Sequence, residues 1–283
     1  MKKLTDTYEL INGVKVPCIG FGTWQVENGE LAVNTIGNAL ISGYRHIDTA
    51  AGYGNEESVG IAVKNSKINR EELFITSKLH NTVRGYEETK AAFHQTLKNL
   101  DMDYLDLYLI HWPNPLKYRN QWQEANASSW KAMEELYKEG KIRAIGISNF
   151  CQRHIEELNK TATIAPMVNQ IRLCPGDAQK ELVAYCTEHN MLLEAYSPLG
   201  TGRIFEVEEM QRLADKYGKS VAQICIRWSL QMGFLPLPKS SAFERIKENT
   251  EVFDFELSSE DVALIANLDG CCGYARNPDE TTF

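Results

Sequence analysis

Hydrophobic and polar positions along this chain alternate between two periods. From Tyr104 to Ile110, Leu105, Leu107 and Leu109 alternate with Asp106, Tyr108 and Ile110, the period of a β-strand. Apolar residues fill much of the second face too, which predicts a strand buried on both sides, as in a parallel sheet. Similar short runs mark strands at Cys18–Gly22, Tyr44–Ile47, Leu73–Ser77, Ile142–Ile147, Met167–Ile171, Met191–Ala195 and Phe234–Leu237. Between them the period lengthens to that of a helix. Phe93, Leu97 and Leu100 fall on one helical face, as do Trp130, Met133 and Tyr137. Ser220 is an N-cap ahead of Val221, Ile224, Cys225 and Trp228. Ser258-Ser-Glu-Asp261 reads as a capping box opening a last helix, with Val262, Ile265 and Ala266 inward. Near the start, two apolar runs within Tyr8–Pro17 flank Asn12-Gly13, a hairpin signal.

Eight strands alternating with helices over about 250 residues predict the α/β class and a (β/α)8 TIM barrel. An N-terminal β-hairpin and extra helices complete it. Two features strain that reading. Pro236 and Pro238 stand in the eighth strand, where a missing N–H is costly, and residues 196–234 hold two helices where one suffices. No linker, repeat or low-complexity tract divides the chain, so residues 1–283 are expected to form a single domain.

Charge and cysteine content narrow the function. A net charge of −8 argues against nucleic acid and anionic membranes as partners. No run approaches the roughly 20 apolar residues of a membrane span. Met1-Lys-Lys leads into Leu-Thr-Asp-Thr-Tyr-Glu, which lacks the apolar core of a signal peptide. The seven cysteines are an odd number without a Cys-x-x-Cys pair. Cys18, Cys151, Cys174, Cys186 and Cys225 read as small buried hydrophobes, and Cys271-Cys272 are adjacent, a poor arrangement for a bridge. A cytoplasmic location follows as the expectation. No exposed apolar helix face stands out, which points to a monomer. The six histidines are scattered, with no His-x-His or His-Glu-x-x-His, so no metal site is expected and a metal-dependent hydrolase is set aside.

The strand ends carry the chemistry. At or just after the ends of successive strands stand Asp48, Lys78, His111, Ser148-Asn149, Gln170, Tyr196-Ser197 and Lys239-Ser240. In a barrel these converge on one mouth. Tyr53 follows Asp48 on a short glycine-containing loop and can return to the same place. Each has a duller reading alone: Asp48 and Lys78 as a structural ion pair, Tyr53 as a loop aromatic, His111 as a core imidazole. Together they suit proton transfer. A phenol of pKa about 10 is a poor acid; an adjacent ammonium lowers that value, and a carboxylate keeps the lysine charged and in place. The imidazole can then orient a carbonyl oxygen while the phenol protonates it, provided a hydride donor is bound.

At this point the chain resembles the aldo-keto reductase family over essentially its whole length, in size most like the short bacterial members typified by diketogluconate reductases. The resemblance rests on Gly20-Phe-Gly-Thr-Trp24, His46-Ile-Asp-Thr-Ala-Ala-Gly-Tyr-Gly-Asn-Glu56, Phe74-Ile-Thr-Ser-Lys-Leu79, Leu109-Ile-His-Trp-Pro113, Ile145-Gly-Ile-Ser-Asn-Phe150, Ala195-Tyr-Ser-Pro-Leu-Gly200 and Pro238-Lys-Ser-Ser241, in that order. It implies an NADPH-dependent reductase of small aldehydes and ketones, with hydride from nicotinamide C4 and the proton from Tyr53. It further implies that Asp48 and Lys78 tune Tyr53 and that His111 orients the carbonyl. Thr23, Ser148, Asn149, Gln170, Tyr196, Ser197 and Leu199 would contact the nicotinamide half of the cofactor and its pyrophosphate. Lys239, Ser240 and Arg245 would take the 2′-phosphate, beside a helix N-terminus, with Glu248 and Asn249 near the adenine. Without the motif, Lys239 and Arg245 would read as ordinary surface charges. Trp24, His80 and Trp112 are the expected substrate-binding residues, and Trp122 divides evenly between that role and packing.

Two positions depart from the family pattern. His80 stands where relatives often carry a pocket tryptophan, which predicts a smaller, more polar wall. Ala242 replaces a side chain that often adds a phosphate contact, which predicts a softer preference for NADPH over NADH. Among rivals, Gly20-Phe-Gly-Thr-Trp-Gln25 is a weak dinucleotide-fold signal, because the third glycine is missing. A non-catalytic binding protein on the same scaffold has no need of all four catalytic side chains.

Overall fold

The computed structural model describes residues 1–283. Strands β1 (Thr7–Glu9) and β2 (Lys15–Pro17) form the antiparallel hairpin, with Thr7 opposite Pro17. The turn is held by Gly13 at φ 82°, a left-handed conformation that suits glycine. The hairpin packs beneath the barrel, where Tyr8 donates its hydroxyl to Phe234 O at 2.9 Å.

Eight parallel strands follow: β3 (Phe21–Gly22), β4 (His46–Asp48), β5 (Phe74–Leu79), β6 (Leu105–Ile110), β7 (Ile142–Ser148), β8 (Val168–Arg172), β9 (Leu192–Tyr196) and β10 (Leu235–Leu237). Each pairs with its neighbour in chain order. The seam closes through backbone bonds from Gly20 N to Pro236 O and Gly22 N to Pro238 O, both 3.1 Å. These bonds also explain the prolines. Pro236 and Pro238 turn their carbonyls to β3 and accept, while Leu235 and Leu237 pair with β9. The missing proline N–H groups fall on the short β3 side, where little ladder is lost. The seam also needs glycine on its other side: a Cβ on Gly20 would stand 2.5 Å from Leu237 Cδ2 and 2.6 Å from His46 Nδ1.

The helices are α1 (Glu30–Ile41), α2 (Glu56–Ser66), α3 (Tyr86–Leu100), α4 (Trp122–Lys138), α5 (Gln152–Asn159), α6 (Lys180–Glu188), α7 (Glu208–Tyr217), α8 (Val221–Gln231), α9 (Phe243–Glu248) and α10 (Ser259–Ala266). The surplus helix between β9 and β10 is α7, which packs on α8. Ser220 caps α8 as expected, with Gln223 answering in a full capping box. The box expected at α10 is only half formed. Ser258 accepts from Asp261 N at 3.2 Å, but the Asp261 carboxylate accepts from Lys216 and Tyr217 instead of the cap backbone.

One contiguous core of 65 buried residues runs from the hairpin to the C-terminal segment. Within it Leu105, Leu107 and Leu109 have no exposure, as the run predicted. Deleting one such side chain would cost about 2–5 kcal/mol. At the amino end of the barrel the buried Asp106 accepts from Arg143 at 2.6 Å and Ile75 N at 2.8 Å, and pairs with Arg70 at 2.7 Å. All seven cysteines are free; Cys271 and Cys272 lie 3.7 Å apart without a bond, and Cys151 is half-buried rather than buried. No helix is long and apolar enough to cross a membrane.

Several strands run one residue further than their apolar runs suggest. Asp48, Ser148 and Tyr196 are the last residues of β4, β7 and β9, and Lys78 and Gln170 lie inside β5 and β8. Their side chains are thus held by ladder hydrogen bonds rather than by loops, which favours a fixed site.

Candidate active site

Strand alternation sends Asp48, Lys78, Gln170 and Tyr196 to the interior near the carboxyl end of the barrel. There Lys78 has no exposure, and its ammonium donates to Asp48 Oδ1 at 2.7 Å, Asp48 Oδ2 at 2.8 Å and Thr49 O at 2.9 Å. The Tyr53 hydroxyl lies 3.3 Å from the same nitrogen. Tyr53 gets there because residues 51–53 form a single 3-10 turn ending on Gly54 at φ 70°. Asn55 fixes the loop from below, donating to Thr23 O and Val26 O and accepting from Thr49 Oγ1 at 2.7 Å. The His111 ring meets the Tyr53 ring edge-on, with centroids 5.7 Å apart. The four expected catalytic side chains therefore share one small volume.

Burial controls their protonation. For Lys78 burial pulls its pKa down most strongly, but Asp48 and then Tyr53 outweigh it and the net shift is upward, so the ammonium is retained. For Tyr53 the sequence expectation is corrected. Lys78 does pull its pKa down, but burial pushes harder and the net direction is upward. In the protein without ligand the phenol holds its proton. The His111 pKa is driven well below the usual value, by burial first and then by Lys78, Arg84 and His80, so the imidazole is neutral. Its Nδ1 is buried without a partner.

Beside this group a second cluster forms at the ends of β7, β8 and β9. Ser148 Oγ donates to Gln170 O at 2.8 Å. Asn149, at φ 64°, donates from Nδ2 to His111 O at 2.9 Å and Ser148 Oγ at 3.0 Å. Its Oδ1 accepts from the Tyr196 hydroxyl at 2.7 Å. Gln170 Nε2 donates to Asp48 Oδ2 at 2.8 Å and to Glu194 Oε2 at 2.7 Å. Two carboxyl oxygens on that nitrogen fix which way the amide points, with its carbonyl oxygen turned from both. Ser197 follows Tyr196 at φ 50°, starting a turn that its carbonyl closes onto Gly200 N at 2.9 Å.

Further around the mouth, Lys239 and Arg245 are exposed, and neither pairs with an acid. Ser240 is half-buried and accepts from Ala242 N at 3.2 Å, while Glu248 is half-buried and Asn249 buried. The α9 helix is only six residues long. Two unpaired cations beside a serine suit a phosphate, and the inward-turned amide and serine cluster suits a carboxamide. The residues present thus fit a nicotinamide dinucleotide phosphate.

The aromatic wall divides. Trp24 is 49% exposed at the mouth. Trp112 is nearly covered, with the Phe283 ring edge-on at 5.3 Å. Trp122 packs against His154 at 4.9 Å and beneath Arg153, which decides its even reading for packing. His80 Nδ1 accepts from Thr82 N at 3.2 Å and lies 2.8 Å from Thr82 Oγ1. A Cβ on Gly52 would stand 3.7 Å from His80 Nε2 and 4.0 Å from His111 Nδ1, so both imidazoles flank the residue before Tyr53.

Three residues were missed in the sequence. Arg84 is buried without an acid, donating to Asn126 Oδ1 at 3.1 Å, Val83 O at 2.6 Å and Trp112 O at 2.5 Å, and so ties the loop after β5 to the loop after β6 and to α4. Burial pushes its pKa down to about 10. Phe283 reaches Trp112 from the far end of the chain. Glu194 was readable as the one charged residue in the run Met191–Ala195.

Comparison with known proteins agrees with this geometry. A family model described as "Aldo/keto reductase family" matches residues 18–269. Glyoxal reductase of Bacillus subtilis (strain 168) is 51% identical over 280 residues, covering 99% of each chain. Methylglyoxal reductase DkgA of Escherichia coli (strain K12) is 43% identical over 274 residues, covering 96% of each. Among solved structures, a mutant of Gox0644 in complex with NADPH superposes with a TM-score of 0.91 at 35% identity, covering 99% of each chain.

Proposed function

Because the chain belongs to the aldo/keto reductase family, we propose that it reduces small aldehydes and ketones to alcohols with NADPH, Tyr53 supplying the proton. The observation that carries this is the Lys78 ammonium, which touches both Asp48 oxygens and the Tyr53 hydroxyl at once. NADPH, when bound, supplies hydride from nicotinamide C4 to the carbonyl carbon. The chain's own residues do the rest. Neutral His111 donates to the carbonyl oxygen and orients it. Tyr53 gives its proton to that oxygen as negative charge develops there, and the adjacent Lys78 ammonium stabilises the phenolate left behind. Asp48 keeps Lys78 charged although the lysine side chain has no exposure.

The residues that would hold the cofactor are the ones the resemblance implied. Ser148, Asn149 and Gln170 take the carboxamide, Tyr196 offers a ring face, and Thr23, Ser197 and Leu199 lie along the path to the pyrophosphate. Lys239, Ser240 and Arg245 take the 2′-phosphate, with Glu248 and Asn249 toward the adenine. The two unpaired cations support NADPH over NADH. Trp24, His80 and Trp112 form the substrate side. The named activities of the relatives make glyoxal and methylglyoxal the first carbonyls to try. One contiguous core supports reading residues 1–283 as a single domain.

The test is consumption of NADPH and NADH with a panel of small aldehydes, beside Tyr53→Phe. The expected result is turnover by the wild type and a fall of about 10²–10⁴-fold in kcat for the variant. NADPH affinity should stay within about twofold. A wild-type protein that binds NADPH and reduces no carbonyl would instead favour a binding role on the same scaffold.

A further inference from the structure

The lumen of a (β/α)8 barrel is ordinarily filled with layers of branched apolar side chains. Here the layer beneath the site is polar. Strand alternation places His46 below Asp48, Thr76 below Lys78 and Glu194 below Tyr196, and all three lower residues have no exposure. His46 Nε2 lies 2.9 Å from Thr76 Oγ1. Glu194 Oε2 accepts from Gln170 Nε2 at 2.7 Å, and its Oε1 has no hydrogen-bond partner. An aliphatic residue would fill this space at lower cost. The same Gln170 nitrogen donates to Asp48, so Glu194, Gln170, Asp48, Lys78 and Tyr53 form one continuous chain across the lumen.

We propose that Glu194 is a positioning residue for carbonyl reduction: through the Gln170 amide that it shares with Asp48, it sets the charge balance of the Asp48–Lys78–Tyr53 group and hence the strength of Tyr53 as a proton donor. This rests on the reductase reading of the site. The groups facing Glu194 are His46 and Asp48 from β4 and Lys78 from β5. Gln170 comes from β8, and β10 offers only Leu235, Pro236 and Leu237 alongside. Lys78 is already bound to Asp48, and no cation touches Glu194 itself. His46 lies 4.0 Å away, but burial pushes its pKa down to about 3, so it is neutral and the contact is not an ion pair. Burial first, and then the Asp48 charge, push the Glu194 carboxyl up to about 8.

The consequence has a definite sign. At neutral pH Glu194 is protonated, and the group above it holds one carboxylate matched to one ammonium. Above about pH 8 Glu194 loses its proton, and a second negative charge faces Asp48 across one amide. That charge disfavours phenolate at Tyr53, so the phenol becomes a weaker acid and reduction slows.

Glu194→Gln keeps the size and an acceptor for Gln170 but cannot ionise. Aldehyde reduction at saturating NADPH would be followed from about pH 6 to about pH 10 in both proteins. The expected result is an alkaline fall of about three- to tenfold in the wild type, centred near pH 8, that the variant lacks. An infrared titration of the unliganded protein gives an independent reading. The wild type should show a protonated-carboxyl band at neutral pH that disappears over the same range and is absent from Glu194→Gln. The same alkaline fall in both proteins overturns the proposal, as does a wild type without that band at neutral pH. A variant that fails to fold leaves the wild-type band to decide. If neither protein consumes NADPH, the reductase reading has failed, and a band that does not titrate overturns the role of Glu194 separately.

Discussion

Two buried aspartates at opposite ends of this barrel have the same chemistry and opposite uses. Asp106, near the amino end, is held by two arginines and a backbone N–H. Its cations reach water: the Arg143 side chain is 42% exposed and that of Arg70 21%. Asp48, at the carboxyl end, is held by one lysine with no exposure and by Gln170. Every donor at Asp106 serves to fix structure. At Asp48 the ammonium extends one contact further, to the Tyr53 hydroxyl. A buried ion pair becomes chemically useful when its cation has a partner that can give up a proton. It also becomes fragile, because neither member has solvent to fall back on.

Removing one charge from each site should separate the two uses. Lys78→Met leaves Asp48 buried beside a thioether and should cost about 3–5 kcal/mol of stability. It should also lower kcat for aldehyde reduction by at least about 10²-fold. Asp106→Asn leaves two arginines that can turn to water, at a cost of about 1–3 kcal/mol. Its kcat/KM should stay within about twofold. Urea unfolding and steady-state rates on the two variants check the contrast, and equal losses of activity would erase it.

The contrast was only partly legible in the sequence. The barrel was readable because apolar runs and helical faces repeat with little interruption, and Pro236 and Pro238 only obscured the closing seam. The four proposed catalytic residues were readable because each lies near the carboxyl end of a strand or on the loop that follows it, a position that places them in one mouth whatever the details of packing. Tyr53 shows where such reading stops. A neighbouring ammonium predicts a lowered phenol pKa, but burial is a property of the whole assembly and reverses the net direction. Arg84 and Phe283 were invisible for a related reason, since Trp112, which both of them touch, lies 28 or more positions away from each. Glu194 was visible as a letter, but its importance comes from Gln170, whose amide is shared with Asp48.

Glu194 sharpens the comparison from the side of stability. Its pKa rises from the ordinary 4.5 to about 8 on folding, so the folded chain keeps a proton that the unfolded chain releases. Stability from this group is therefore full below about pH 4.5 and falls as pH rises toward 8, by about 1.4 kcal/mol per unit. Glu194→Gln removes that slope and should be the more stable protein at neutral pH, by on the order of 3 kcal/mol. Chemical denaturation at about pH 5 and about pH 8 would show it as a gap between the two proteins that widens with pH. A constant gap would mean that Glu194 does not hold the proton. A site that destabilises its own protein in this way is expected where function, not packing, set the residue.

The smallest expected effect lies at the rim, where His80 replaces bulk with a polar edge. Thr82 N donates to His80 Nδ1, so that nitrogen is an acceptor and the ring hydrogen sits on Nε2. The turn is held from outside by Lys117 Nζ at 2.9 Å and the Tyr118 hydroxyl at 3.0 Å, both on Thr82 O. Nε2 is thus presented as a fixed donor on the Gly52 side of the mouth, the side that His111 Nδ1 also faces. Such a donor should favour a substrate that carries a second oxygen near its carbonyl. One neutral hydrogen bond is worth about 0.5–1.5 kcal/mol, or roughly three- to tenfold. His80→Trp should therefore lower the ratio of kcat/KM for a hydroxylated aldehyde to that for an aromatic one by about that factor. An unchanged ratio would leave His80 as mere filling at the rim, and the polarity of this mouth would then belong to the buried chain beneath it.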